Sequence, residues 1–266
     1  MENKILPRVL TIAGSDSGGG AGIQADIKTM CALHCYGMSA ITAITAQNTT
    51  GVYAVHPIPV EIVEKQIDVV LSDIGAEAIK TGMLWGVEII TAVHKVLKKY
   101  PEPYLVIDPV LIAKSGDILL QKDAISALLE LLVPRAWIIT PNLPELKELT
   151  RIEPENKNAI IKAGNLLIDR GVKYVLVKGG HGHEKQIHDY LLSDKGDCMS
   201  FTSVRIDSHN THGTGCTLSS AIACYLAHGF ETEVAVEKSI QFVHRGIETA
   251  PNLGKGHGPL NHLLSN

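Results

Sequence analysis

Late in the chain, Asn210-Thr211-His212-Gly213-Thr214-Gly215-Cys216-Thr217 sets two glycines beside a thiol. Leu218, Ile222, Tyr225 and Leu226 fall on one helical stripe just after it, so the glycines sit at a helix entrance. Gly213 and Gly215 let a ligand approach the backbone, and the first-turn amides of a helix lack intrahelical partners and carry a positive field. Together with Thr214 they form an expected cradle for an anion. Cys216 falls in the same first turn, where that field favours thiolate over thiol, so it is the candidate base. The structural alternative is a glycine turn entering a packed helix.

Further candidates lie at strand ends. Gly14-Ser15-Asp16-Ser17-Gly18-Gly19-Gly20-Ala21-Gly22 follows the apolar run Arg8 to Ala13 and opens a helix, but it has neither the Gly-Lys-Ser/Thr of a Walker loop nor the spacing of a dinucleotide fingerprint. Gln47 ends a strand with an amide that can both donate and accept toward a heteroaromatic edge. Asp108 ends another strand and precedes Pro109, a placement suited to a metal-side or substrate-side carboxylate. Asn142 and Glu145 open a helix, where an N-cap with a first-turn acid explains them as well as a nucleotide or metal role does. Lys178 stands at a strand edge beside Gly179 and Gly180 as a candidate phosphate contact. His181, His183 and His188 lack the matched ligands of a zinc site and read as part of a loop and hairpin. Asp26, early in the first helix, is by itself only a residue that suits the helix dipole.

The elements that must position these residues alternate in a strand, loop, helix rhythm. That rhythm implies parallel strands with right-handed crossovers, whose carboxyl ends gather on one edge. Val52 to Pro57 reads as an outlying strand, and Gln186 to Leu192 with Cys198 to Ile206 as antiparallel strands on the far side. The chain of 266 residues is expected to form one domain over its whole length, 1–266. A net charge of -4 with mixed signs offers no basic stripe for nucleic acid or a membrane surface. Five cysteines without a C-x-x-C fit a reducing compartment, and Cys31, Cys35, Cys198 and Cys224 read as small buried or half-buried residues. With no signal-type apolar segment at its start, the chain is expected in the cytoplasm.

Taken in order, Thr11 to Ser17, Ala46-Gln47-Asn48, Asp108-Pro109-Val110 with Ala113-Lys114-Ser115-Gly116, Thr140-Pro141-Asn142, Lys178-Gly179-Gly180, Gly213 to Thr217 and Gly254-Lys255-Gly256 resemble the ribokinase superfamily. Within it they resemble the bacterial hydroxymethylpyrimidine/phosphomethylpyrimidine kinases of thiamin synthesis, along essentially the whole chain. The resemblance implies an α/β chain with a three-layer α/β/α fold, its mostly parallel central sheet flanked by helices on both faces. It implies ATP and Mg2+ as cofactors and a small pyrimidine alcohol as substrate, whose monophosphate is phosphorylated again. Carried over by position, Asp26 and Gln47 hold the amino and ring nitrogen groups, with Gly14, Met83 and Val110 around the ring. Asn142, Glu145, Lys178 and Thr211 serve the nucleotide phosphates, and Asp108 with Glu145 the metal. Cys216 stands where sugar kinases of the superfamily place an aspartate base. A homodimer is the expected assembly.

Three alternatives remain open at this point. Pyridoxal phosphorylation uses the same architecture, although Gln47 suits a pyrimidine better than a vitamin B6 ring. A catalytically silent ligand-binding module on the same fold is the second. A cysteine hydrolase is the third, with His212 as the nearest histidine and no third group marked to orient it.

Overall fold

Strand β1 (Arg8–Asp16) is buried along almost its whole length, as a strand covered by helices on both faces must be. In the computed structural model, which describes residues 6–100, 103–111, 122–180 and 185–264, it lies inside a nine-stranded sheet. The other strands are β2 (Tyr36–Asn48), β3 (Gly51–Pro57), β4 (Ala78–Thr81), β5 (Tyr104–Ile107), β6 (Ile138–Ile139), β7 (Tyr174–Val177), β8 (Gln186–Ser193) and β9 (Cys198–Val204). Their order is β3-β2-β1-β4-β5-β6-β7-β8-β9. From β2 to β7 all neighbours are parallel, while β3 pairs antiparallel with β2, and β8 and β9 extend the far side antiparallel. The expected outlying strand and far-side pair are therefore present.

Successive side chains of a strand point to opposite faces, and each face gathers its own helices. Leu10 and Ile12, Ile79, Leu105 and Ile107, and Val175 and Val177 pack with α2 (Val60–Asp73), α3 (Val87–Leu97), α5 (Leu143–Thr150) and α6 (Lys157–Ile168). The helix α4 (Lys122–Ala127), continued by a π turn and a 3-10 turn to Arg135, joins the same layer. Val9, Ala78, Val106 and Leu176 face α1 (Gly22–Ala32), α7 (Thr214–Ala227) and α8 (Thr232–Glu248). This is the expected three-layer arrangement.

The structure differs from the sequence reading in several places. Gly14 does not stop the first strand: the register shifts between Ala13 and Ser15, and pairing resumes with Ser15 opposite Ile44 and Asp16 opposite Thr45. A bulge of this kind re-aims a strand end rather than ending it. Cys31 and Cys198 are exposed, Cys35 and Cys224 buried, and all five cysteines are free. The Ala113 to Gly116 loop, Ile118, Leu119, His181 and His183 lie outside the described residues. Among the described residues no helix is long and apolar enough to cross a membrane.

One ionic cluster is sealed inside this frame. Lys80 on β4 and Asp26 on α1 are both fully buried, with Lys80 Nζ 3.0 and 2.9 Å from the two carboxylate oxygens. Thr11 of β1 donates to Asp26 Oδ2 at 2.6 Å and Ser220 of α7 to Oδ1 at 2.7 Å. All four acceptor positions of the carboxylate are thus taken. Asp26→Ala is expected to lower unfolding free energy by about 3–5 kcal/mol, because a buried ammonium loses the carboxylate it is bonded to. Denaturant titration checks this, and a loss under about 1 kcal/mol would contradict it.

Candidate active site

The sheet ends bring two groups of residues together. The Lys178 N–H donates to Pro141 O at 2.9 Å, so the ends of β6 and β7 meet and bring Asn142, Glu145 and Lys178 close. Asp108, just past β5, is 2% exposed. Lys178 Nζ is 3.2 Å from Asp108 Oδ1 and 3.8 Å from Glu145 Oε2. Gly215 approaches so closely that a side chain there would begin 3.4 Å from both Asp108 Oδ2 and Lys178 Nζ. Burial opposes charge on Lys178, but Asp108 and Glu145 outweigh it and hold the ammonium above its ordinary pKa. Burial pushes the Glu145 carboxyl up to about 7, against the pull of Lys178 and with Asp108 adding to the rise. One ammonium here serves two carboxyl groups.

Asn142 and Glu145 also form the reciprocal cap that the sequence allowed: Glu145 N donates to Asn142 Oδ1, and Asn142 N to Glu145 Oε2, each at 2.8 Å. The cap and the contact with Lys178 use the same carboxylate, so the helix start aims Glu145 at the site.

The second group joins the glycine-rich loop to the anion turn. Asp16 collects the amides of Gly18 at 2.8 Å, Gly20 at 3.1 Å and Ala21 at 2.8 Å. Its Oδ2 also lies 2.8 Å from His212 Nε2, and His212 Nε2 is 3.4 Å from the Gln47 amide. Gly213 has φ +83, and a side chain there would strike Gly20 O at 1.8 Å. Glycine is required by both the left-handed backbone and the contact. His212 is therefore oriented by a carboxylate, the feature the hydrolase alternative lacked, but its Nε2 is turned to Asp16 and Gln47.

Thr211 to Cys216 are all half-buried, leaving the turn accessible. The first bond of the α7 ladder is Thr217 N to Gly213 O at 2.9 Å, so the amides of Gly215 and Cys216 precede the ladder. Thr211 shapes this entrance through its backbone: its N–H donates to His209 O at 3.1 Å and its carbonyl lies 3.5 Å from Thr214 N. Gly14 packs against Met83, whose sulfur lies 3.1 Å from where a Gly14 side chain would begin. Val110 lines a small cavity with Asp108, Gly82 and buried Thr81. A larger cavity of about 620 Å³ lies between Asp207 to Asn210, just before the anion turn, and Asn252 to His257 of the tail. The tail is anchored there, with His257 N donating to Thr49 O at 2.9 Å.

Residues 16–261 match the sequence family described as phosphomethylpyrimidine kinase. This chain belongs to that family. The Bacillus subtilis (strain 168) hydroxymethylpyrimidine/phosphomethylpyrimidine kinase is 46% identical over 256 residues, covering 96% of this chain and 94% of that one. The structure of phosphomethylpyrimidine kinase from Clostridium difficile 630 superposes with a TM-score of 0.79 at 46% identity, over 90% of this chain and 98% of that one. The pyridoxal kinase from Staphylococcus aureus in complex with AMP-PCP and pyridoxal superposes at 0.88 with 35% identity, over 97% and 94%.

Two expectations for this phosphomethylpyrimidine kinase family member need correction. Asp26 cannot hold a substrate amino group as placed: it is fully buried and its acceptor positions are filled by Lys80, Thr11 and Ser220. Nor does the helix entrance make Cys216 a thiolate. Burial pushes the thiol up to about 11, outweighing the pull of Lys80 and of the Gly22 amide that reaches the sulfur. Desolvation dominates, and Asp26 and Asp108 add negative charge that works in the same direction. Lys80, Asp16 and His212 are the residues sequence reasoning left unassigned. Asp16 and His212 did sit within motifs, whereas a single lysine inside a strand carried no signal.

Iodoacetamide labelling of Cys216, followed by peptide mass spectrometry without added ligand, is expected to be slow at pH 7 and to climb toward a midpoint of about 11. A midpoint below the ordinary thiol value of 9.0 would contradict this.

Proposed function

We propose that this chain is a cytoplasmic kinase acting as one domain over residues 1–266. It transfers the γ-phosphoryl group of ATP to the hydroxymethyl group of 4-amino-5-hydroxymethyl-2-methylpyrimidine, then phosphorylates the monophosphate to the diphosphate, as steps of thiamin synthesis. The observation that carries this reading is the approach of Gly215 to both Asp108 and Lys178, which sets bare amides beside a cation and two acids. Phosphoryl transfer asks for that combination, since its transition state needs in-line positioning and charge neutralisation more than covalent help.

Each residue has a proposed part. Amides of Gly213, Thr214 and Gly215 cradle the migrating phosphoryl oxygens, and Lys178 neutralises the nucleotide phosphates, with Asn142 and Thr211 alongside. Gln47, with Gly14, Met83 and Val110, receives the pyrimidine. Asp108 and Glu145 are oxygen donors of the class Mg2+ takes, and their shared ammonium leaves negative charge that a divalent cation would relieve. Among the described residues no three His, Cys, Asp or Glu side chains converge as a metal site, which suits an ion held by one or two carboxylates plus substrate phosphates. When bound, Mg2+ supplies charge neutralisation on the phosphate oxygens. Cys216 releases its own proton to solvent at the half-buried turn, helped by Lys80 and the Gly22 amide, and the thiolate then accepts the alcohol proton. In a loose transition state that proton leaves late, so a weakly ionised base suffices.

Pyridoxal is the second reading, favoured by the superposition on the S. aureus enzyme. The Gln47 amide weighs for the pyrimidine. A homodimer is proposed as well: edge strand β3 carries Tyr53, 69% exposed, and its neighbour β2 carries exposed Ile44, apolar groups that a second copy would cover. Sedimentation measures it.

With ATP, Mg2+ and the pyrimidine alcohol, the wild type should form mono- and then diphosphate, with kcat/KM above that for pyridoxal. Cys216→Ala should retain nucleotide and pyrimidine affinity in calorimetry while turnover falls about 10²–10⁴-fold. Unchanged turnover removes the cysteine from the reaction, and absence of any product from the wild type removes the assignment.

A further inference from the structure

A protein that reads a heteroaromatic edge through one amide must control which end of the amide faces which way, because C=O accepts and NH2 donates while their shapes match. Gln47 ends β2 between two polar neighbours. Its Oε1 stands 3.2 Å from Thr45 Oγ1 and its Nε2 stands 3.4 Å from His212 Nε2. Both neighbours have already committed their hydrogens. The single hydroxyl hydrogen of Thr45 goes to Ser15 O at the shorter distance of 2.9 Å, so Thr45 faces Gln47 with a lone pair. On the other side, His212 Nε2 is 2.8 Å from Asp16 Oδ2. Burial opposes the Asp16 charge, but His212 and the Ala21 amide outweigh it and hold this carboxyl below its ordinary pKa. An ionised carboxylate only accepts, so His212 Nε2 carries the hydrogen and cannot also accept from an NH2. In the pose just described, acceptor faces acceptor at Thr45 and donor faces donor at His212. Turning the amide over gives Thr45 an N–H to accept from, and at His212 it replaces the donor–donor clash with a carbonyl facing the N–H that is held by Asp16.

We propose that Thr45 and His212 are positioning residues that lock the Gln47 amide with its NH2 toward Thr45 and its carbonyl toward His212, so that the pyrimidine binds in one of two edge orientations. The inference rests on the function proposed above, and the chemistry of that substrate gives it a consequence. In 4-amino-5-hydroxymethyl-2-methylpyrimidine the amino group lies between ring N3 and the hydroxymethyl-bearing carbon. The locked carbonyl accepts from the amino group and the NH2 donates to N3, so the amino group lies on the His212 side. The hydroxymethyl group, next around the ring, then falls toward Gly213 and Cys216, where the phosphoryl group is to be received. The reversed amide would turn it back toward Ser15. Asp16 ties the lock to the glycine-rich loop through the Gly18, Gly20 and Ala21 amides. Ser17 braces the Gln47 backbone, accepting from its N–H and donating to its carbonyl at 2.8 Å each.

The test is steady-state kinetics on Thr45→Val, Thr45→Ser, His212→Leu and His212→Gln with two alcohols, the aminopyrimidine and its analogue lacking the 4-amino group. Thr45→Val and His212→Leu should each raise KM for the aminopyrimidine about tenfold, the scale of one misdirected hydrogen-bond pair, while KM for ATP stays unchanged. Thr45→Ser keeps the lone pair and His212→Gln keeps a donor, so both should return KM to within about twofold of wild type. For the analogue, which presents no amino group to the carbonyl, the apolar variants should change KM little. An equal rise for both alcohols, a fall in kcat alone, or no rescue by Ser and Gln would overturn the lock. Should thermal melts show T45V or H212L unfolded, T45A and H212N replace them under the same criteria. Failure of the wild type to phosphorylate the aminopyrimidine at all would instead defeat the proposed function.

Discussion

Everything at the sheet edge is built over one buried ion pair. Lys80 and Asp26 lie at 0% exposure, and their hydrogen-bond partners come from β1 and α7 as well as from their own β4 and α1. A charge pair so deep is held because the ammonium reaches both carboxylate oxygens and Thr11 and Ser220 fill the remaining acceptor positions. The cluster therefore locates two helix starts relative to the strands between them. Ser220, one of its members, is one helical turn beyond Cys216, so both residues project from the same side of α7. The thiol thus faces Lys80, and that ammonium pulls its pKa down even as burial drives it up.

Above this floor, two glycine-rich segments far apart in sequence become one surface. The contact of Gly213 with Gly20 leaves no room for a β-carbon, and a side chain at Gly20 would itself meet His212. Asp16 then gathers the loop amides and the imidazole with a single carboxylate. Backbone flexibility, which glycines bring to the unfolded chain, is removed here by a side chain that fills the space between the two loops.

The charges on the other half of the site are balanced differently. Asp108, Glu145 and Lys178 carry more acid than base, and burial, with Asp108 adding to it, raises Glu145 to about 7. Uncompensated buried acid beside bare amides suits the proposed ligand, which would bring both a divalent cation and phosphate oxygens. At Glu145 an ordinary helix start coincides with a carboxylate of the candidate site: the cap sets the rotamer, and the meeting of β6 and β7 supplies the neighbour.

The alternation of apolar strands, glycine turns and amphipathic helices was enough to give the parallel sheet and to place Gly213 to Cys216, Asp108, Asn142, Glu145 and Lys178 at strand ends or helix starts. Such features depend on local periodicity and turn chemistry, which are written within a few residues. Asp26 shows the limit. A carboxylate four residues into a helix has the same local signal whether it meets a ligand or a buried lysine, and only the packing of β4 beneath α1 decides. The same holds for the Cys216 thiol, whose position in a helix turn was legible while its desolvation was not, and for His212, whose partner Asp16 lies 196 residues away. Sequence determined which groups stand at the edge; tertiary structure decided which of them face each other and which are sealed from water, because burial and long-range charge pairing have no local signature.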